Sequence, residues 1–242
     1  MDPSGYLAHL HSDLAAFEAC LGGDLAAPVA HCGDWTLYDL ADHLGGGNLW
    51  AAAAVTERRG DLEAAPAPRD PAALAAWLSE TGAVLIAALD ADPDTPAWTI
   101  APPPTVGFWQ RRRCMEALIH RWDAEHAVGT GGVIDPALAA EGVAEVVDTM
   151  LPRQVRLGRT SPPPHAVRLE ATDTGSSWLL GPGGPGGPVG PGDPADPVAT
   201  VRGTAAGLLL LLWGRLDADD PAISWSGDRE PGRAALNRAL VP

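Results

Sequence analysis

The sequence predicts a helical bundle over residues 1–152 and a small α+β domain over residues 153–242. Three observations carry that reading. Apolar residues recur at steps of three and four through the first 150 positions, the helical period. After Pro152 the pattern changes, and Val167, Leu169 and Ala171 alternate with polar residues, the period of a half-buried strand. A chain of 242 residues that is 46% hydrophobic and 19% charged is also long enough to bury two cores without disulfides.

The first helix carries Leu7, Leu10, Leu14, Phe17 and Leu21 on one stripe and stops at Gly22-Gly23. The second opens on Thr36 with Asp39 three residues later, a capping-box arrangement with Asp in place of Glu, and continues through Leu37, Leu40, Leu44, Trp50, Ala54 and Val55. Gly45-Gly46-Gly47 weakens it by about 1 kcal/mol per glycine relative to Ala. Asp70-Pro71 starts a third helix, with Leu74, Trp77, Leu78, Val84, Leu85 and Leu89 directed inward. Pro102 to Pro104 lead into a fourth, from Val106 to Val128, closed by Gly129. A fifth begins at Asp135-Pro136 and runs toward Met150, completing an antiparallel bundle.

In the C-terminal part, strands are expected at Val167 to Ala171, Ser177 to Leu180 and Val198 to Arg202, with one more around Ile223 and Trp225. Thr204 reads as the N-cap of a helix containing Leu208 to Trp213, and a last helix is expected from Arg233 to Leu240. Gly181 to Pro197 repeats in Gly-Pro-x triplets, too few for a collagen triple helix, and reads as an extended loop.

Sixteen basic residues against 31 acidic ones give a net charge of −15, the wrong sign for a surface that neutralises phosphates, so nucleic acid is not expected as a partner. All 16 basic residues are arginine, which removes the lysine-bearing phosphate loop and Schiff-base chemistry. The Leu-rich run Leu208 to Trp213 is too short to cross a bilayer, and no membrane partner is expected. Cys20, Cys32 and Cys114 form no CxxC pair and read as reduced thiols. The N-terminus lacks the basic and apolar regions of a secretory signal, so a cytoplasmic location is expected.

Chemistry concentrates at three positions. His43 sits beside Leu40 and Leu44 at the edge of the buried stripe, and alone it reads first as a buried neutral imidazole held by a neighbour. Glu116 and His120, four apart, share one face of the fourth helix, a pair that on its own is also an ordinary surface hydrogen bond. Together the three supply a His₂Glu ligand set of the kind used by catalytic zinc, with a position left open. Asp123, three residues beyond His120, is placed to hold that imidazole from behind. The Arg111-Arg112-Arg113 run comes just before these ligands and could bind an anionic substrate, but it reads more readily as a solvated helix face, because three consecutive residues point in three directions.

These residues fall in two strings that resemble a known family. Asp34-Trp35-Thr36-Leu37-Tyr38-Asp39-Leu40-Ala41-Asp42-His43-Leu44 is similar to the first metal-ligand motif of the actinobacterial mycothiol-dependent maleylpyruvate isomerase family, and Glu116-Ala117-Leu118-Ile119-His120-Arg121-Trp122-Asp123 to its second. Val198 to Ala206, followed by Leu208 to Arg215, is similar to its C-terminal domain. The resemblance implies a DinB-like four-helix bundle joined to a sterol-carrier-like α+β domain. It also implies a divalent metal, zinc by preference, on His43, Glu116 and His120, with mycothiol as thiol co-substrate.

A metal dication lowers the pKa of a thiol, and a thiolate that adds reversibly to a cis alkene permits rotation before elimination. The implied activity is therefore thiol-dependent cis-trans isomerisation of an unsaturated keto acid. Arginine is the cation left to bind its carboxylates. Arg215, after Trp213-Gly214, is the one expected to reach the metal site, and Asp123 is the supporting acid. Transfer of mycothiol to another electrophile, or a metal-binding module without catalysis, stays open on sequence alone.

Overall fold

A computed structural model describes residues 1–182, 197–238, 240 and 241, and the chain divides into two compact units, Met1–Val133 and Ile134–Pro242. The first unit is built from α1 (Pro3–Cys20), α2 (Leu37–Thr56), α3 (Pro71–Leu89) and α4 (Val106–Ala127). Each of the first three starts where local chemistry satisfies the free N–H groups of a helix end. Asp2 accepts from the Gly5 amide, Thr36 and Asp39 form a reciprocal capping box, and Asp70 accepts from the Ala73 amide at 2.9 Å. The apolar stripes then meet. α1 packs on α3 and α4, α2 on α3 and α4, and Leu10, Phe17, Leu40, Leu44, Leu85, Trp109 and Leu118 are all under 2% exposed.

Two of the three consecutive glycines in α2 are explained by what they touch. A Cβ on Gly45 would lie 2.3 Å from the Trp77 ring of α3, and one on Gly47 would lie 2.8 Å from Arg113 Nη1 of α4. The propensity lost in α2 is the condition for its close approach to both neighbours. Across the bundle, Arg121 of α4 reaches Asp13 of α1 (Nε to Oδ1, 3.0 Å), Glu125 (2.7 Å) and the Val133 carbonyl (3.2 Å). Burial raises the Asp13 carboxyl above the usual carboxylate range despite the arginine beside it.

By length and composition α3 is the one helix among the described residues apolar enough to cross a membrane, because its alanines add hydropathy that a search for long aliphatic runs overlooks. Leu74, Leu78, Leu85 and Leu89 are buried, and the helix packs on α1 and α2.

The second unit opens with α5 (Pro136–Glu145), a π-helical turn (Val146–Met150) and α6 (Leu151–Arg156). A sheet follows, with β1 (Val167–Ala171), β2 (Ser177–Leu180), β3 (Ala199–Gly203) and β4 (Ser224–Gly227) in the order β2-β1-β3-β4. β1 and β3 are parallel, with Leu169 opposite Val201, and both outer pairs are antiparallel. Val167, Leu169, Ala171, Ala199 and Val201 put one face of the sheet against α7 (Ala205–Leu212), which Thr204 caps through the Gly207 amide at 3.1 Å.

Three sequence expectations change. Val84, read as directed inward on the third helix, is 49% exposed. The fifth helix packs on α7, so the boundary between units falls at Val133/Ile134 and not at 152/153. Its stripe of Leu138, Ala139, Val143 and Val146 is buried, but periodicity reports that a face is covered without reporting what covers it. The last helix, α8, spans Arg229–Leu236 and starts four residues earlier than Arg233. Pro231 lies in its first turn, where a missing N–H costs nothing, and is no barrier there. The triplet stretch from Gly181 to Pro197 lies outside the described residues except for positions 181, 182 and 197.

Candidate metal centre

α4 supplies most of the site from one stripe. Arg112, Glu116, His120 and Asp123 follow one another at steps of four, four and three, which stacks them along a single helix face. α2 supplies His43, two turns in from the Thr36–Asp39 capping box, in which Asp39 Oδ2 accepts from the Thr36 amide at 2.9 Å and the Thr36 hydroxyl at 2.7 Å. The cap fixes where α2 begins and hence the azimuth of His43.

His43 Nε2 and His120 Nε2 both lie 3.2 Å from Glu116 Oε1, and one ligand atom from each of the three residues falls within 4.8 Å of the others. The imidazoles meet edge to face with centroids 5.1 Å apart, and Trp35 packs on the outer side of His43 at 4.9 Å. The His120 side chain is 6% exposed, that of Glu116 13% and that of His43 42%, so the cluster is closed on the α4 side and open on the α2 side.

The hydrogen bonds around the cluster define its donor set. Asp123 Oδ2 lies 3.1 Å from His120 Nδ1, and an Nδ1–H directed at that carboxylate leaves the Nε2 lone pair of a neutral ring aimed at Glu116. Arg112 Nη2 pairs with the second oxygen of Glu116, Oε2, leaving Oε1 for the centre. Burial first, with the charges of Arg113 and Arg112 adding to it, pushes the His43 pKa down to about 3, so this ring is neutral near pH 7. Each neutral ring can present an Nε2 lone pair beside Glu116 Oε1, which lies 3.2 Å from both nitrogens, so the three side chains offer two nitrogen donors and one oxygen donor to a common centre. The residues present fit a divalent metal with two nitrogen ligands and one oxygen ligand.

His43, Glu116, His120 and Asp123, all singled out from sequence, therefore lie together. Arg215 belongs to the second unit, where it follows Gly214 at the end of α7, donates to the Trp213 carbonyl at 2.8 Å and lies over the Trp213 ring at 5.7 Å. The three cysteines are reduced and none joins the ligand cluster, although Cys32 Sγ lies 3.7 Å from Asp123 Oδ2. The expectation that Arg111-Arg112-Arg113 forms a solvated face is overturned, since Arg112 and Arg113 are each 4% exposed. Three residues in a row do point in three directions, but α4 packs on both α1 and α2, and two of those directions are interior. Three adjacent charges make this stretch of α4 look like a surface, and only the flanking buried positions Trp109 and Met115 hinted otherwise.

The segment from Gly60 to Arg69, which has no motif in the sequence to mark it, also shapes the site. The Ala67 amide donates to Asp42 Oδ1 at 2.7 Å, Tyr38 donates to the Ala67 carbonyl at 2.7 Å, and Trp50 donates to the Gly60 carbonyl at 3.0 Å. Pinned in this way to α2, the segment forms one wall of an open cleft of about 440 Å³, and His43 lies on the other wall.

A helical bundle with two imidazoles and a carboxylate converging from its second and fourth helices, continued by a small α+β unit, defines a class of two-domain proteins organised around a candidate metal centre. Residues 7–125 match the family model described as the mycothiol maleylpyruvate isomerase N-terminal domain, and residues 137–231 match that of the MDMPI C-terminal domain. The chain belongs to the mycothiol-dependent maleylpyruvate isomerase family. No curated protein matches it. Among solved structures, a crystal structure of a histidine-to-alanine mutant of the mycothiol-dependent maleylpyruvate isomerase is similar with a TM-score of 0.66 at 14% identity. A second crystal structure of that isomerase gives 0.62 at 15%, and each comparison covers 93% of both chains.

Proposed function

We propose that this chain is a metal- and mycothiol-dependent isomerase that converts a cis unsaturated keto acid, maleylpyruvate first among those to test, into its trans isomer. The observation that carries the reading is the convergence of His43 Nε2, His120 Nε2 and Glu116 Oε1 within 4.8 Å in a chain of this family. His43, Glu116 and His120 would hold the metal, with zinc preferred for mixed nitrogen and oxygen donors. Bound there, a divalent metal lowers the pKa of a thiol and so supplies a thiolate near neutral pH.

The thiolate sulfur adds to one alkene carbon, and the π electron pair moves into the conjugated carbonyl as an enolate. The former double bond is then single and rotates. Collapse of the enolate expels the same thiolate and leaves the trans alkene, so atoms and electrons balance with no oxidant or reductant. The chain's own groups serve this sequence in distinct ways. Asp123 keeps the His120 Nδ1 proton in place, Arg112 occupies Glu116 Oε2, and the open side of His43 admits small molecules from the cleft. Arg215 is assigned to a substrate carboxylate on the strength of the family resemblance at the end of α7, and a guanidinium matches a carboxylate in charge and planarity.

The test is turnover of maleylpyruvate by protein loaded with zinc, with and without mycothiol. Activity that vanishes with a chelator, returns with zinc and requires mycothiol supports the reading. Attachment of mycothiol to other electrophiles without isomerisation would replace it by a transferase, and turnover without any thiol would defeat it.

A further inference from the structure

We propose that Arg113 is a carboxylate-binding residue, a buried cation that holds an anionic substrate in the cleft beside His43 across the side-chain-free wall formed by Gly46 and Gly47. This rests on the reading above only in taking the cleft at His43 as the substrate side of the centre.

The arginines of α4 provide the contrast. Arg112 pairs with Glu116, and Arg121 pairs with Asp13 and Glu125. Arg113 is as buried as these, at 4% exposure, yet its partners are neutral. Nη2 donates to Asn48 Oδ1 at 2.7 Å and to the Leu44 carbonyl at 3.2 Å, and Nε is buried with no hydrogen-bond partner. A buried cation without a counter-ion is strongly disfavoured, because desolvation is not offset by attraction to an opposite charge. Burial first, and then the charge of Arg112, draw the Arg113 pKa down to about 9. The fold thus keeps a positive charge in its interior that no carboxylate of the described residues neutralises.

The position of that charge indicates what it awaits. Nη1 lies 2.8 Å from where a Cβ of Gly47 would be, and Gly46 and Gly47 line the same cleft as His43. Any residue other than glycine at position 47 would direct a Cβ at the guanidinium and displace it from its place behind the cleft wall. The guanidinium is also held in orientation from behind. Asn48, whose Oδ1 accepts from Nη2, has its amide 3.5 Å from Thr81 Oγ1, and that hydroxyl donates to the Leu78 carbonyl at 2.9 Å. Asp42, the acid on the cleft wall, has Oδ1 turned to the Ala67 amide. A small, flat carboxylate that also presents a carbonyl or alkene toward His43 is the ligand these features fit.

Binding of maleate, as a small dicarboxylate, and of its neutral dimethyl ester to the zinc-loaded full chain, measured by calorimetry, tests this. Arg113→Gln and Gly47→Ala are expected to weaken maleate at least about tenfold, the loss of one charge-assisted contact, to leave any ester binding unchanged and to keep wild-type metal content. Gly47→Ala retains the cation and the metal ligands, so it decides the matter even if Arg113→Gln fails to fold. Undiminished maleate affinity in folded, metal-loaded Gly47→Ala and Arg113→Gln would overturn the proposal, as would undiminished affinity in the former alone if the latter cannot be prepared. Arg113-dependent maleate binding without thiol-dependent turnover would remove the isomerase reading and leave this one standing. Turnover with unchanged maleate binding in the variants would do the reverse.

Discussion

Asp123 and His120 form a buried pair, Oδ2 to Nδ1 at 3.1 Å, that assigns the imidazole proton to the side away from Glu116. The carboxylate is 2% exposed, so water does not compete for it. An amide at position 123 can accept from the same N–H but lacks the charge that raises the basicity of the ring. Asp123→Asn is expected to lower metal affinity by roughly 10-fold to 100-fold, read by competition with a coloured chelator. Unchanged affinity would make Asp123 a merely structural acid.

Metal content of the purified protein is expected at about one divalent ion per chain, with zinc retained preferentially. His43→Ala and His120→Ala should each empty the site while circular dichroism still reports a folded bundle. Full occupancy in either folded variant would show that the ion is held elsewhere.

Metal-free protein should lose stability as pH falls below about 6.5. The folded His43 pKa, near 3, lies below its unfolded value, so the unfolded chain takes up a proton that the folded chain refuses. That contribution is complete above about pH 6.5 and is lost progressively toward pH 3. Asp39, held below the usual carboxylate range by the side-chain and backbone hydrogen bonds from Thr36, adds a further loss below about pH 4. Urea midpoints in chelator at about pH 7.5, 6 and 4.5 measure the slope, and His43→Gln should flatten its upper part. An equal slope in that variant would exclude His43 as its source.

Gly45→Ala and Gly46→Ala should move stability in opposite directions. Alanine gains about 1 kcal/mol of helix propensity at either site. At position 45, however, the new Cβ falls 2.3 Å from the Trp77 ring, and overpacking of that kind costs about 1–3 kcal/mol. At position 46 the nearest neighbour is Ala64 Cβ at 3.7 Å, ordinary contact. Thermal melts of the pair read the difference, and equal shifts would contradict the packing described for α2 and α3.

How much of this was legible in the sequence depends on how local the cause is. Thr36 with Asp39, Asp70-Pro71 and Asp135-Pro136 announced helix starts because a cap is settled within four residues. Glu116, His120 and Asp123 announced a shared face because helical spacing is fixed by geometry. The partner of α5 was not legible, since a buried stripe suits any apolar surface. Nor was the interior position of Arg112 and Arg113, which depends on α4 being covered on several sides. Gly45 and Gly47 were read as weaknesses, and only the facing residues Trp77 and Arg113 reveal their purpose.

The glycine run in α2 also bears on the order in which the molecule assembles. A helix with three adjacent glycines has little tendency to form before its neighbours are in place, whereas α1, α3 and α4 carry no such interruption. Docking of α2 onto Trp77 and Arg113 is therefore what completes the placement of His43 beside Glu116 and His120. The constellation of His43, Glu116 and His120 comes into existence only with the finished bundle, since its members stand on two different helices. In hydrogen-exchange terms, the amides around Gly45 to Asn48 should open together with the loss of the site and not independently of it.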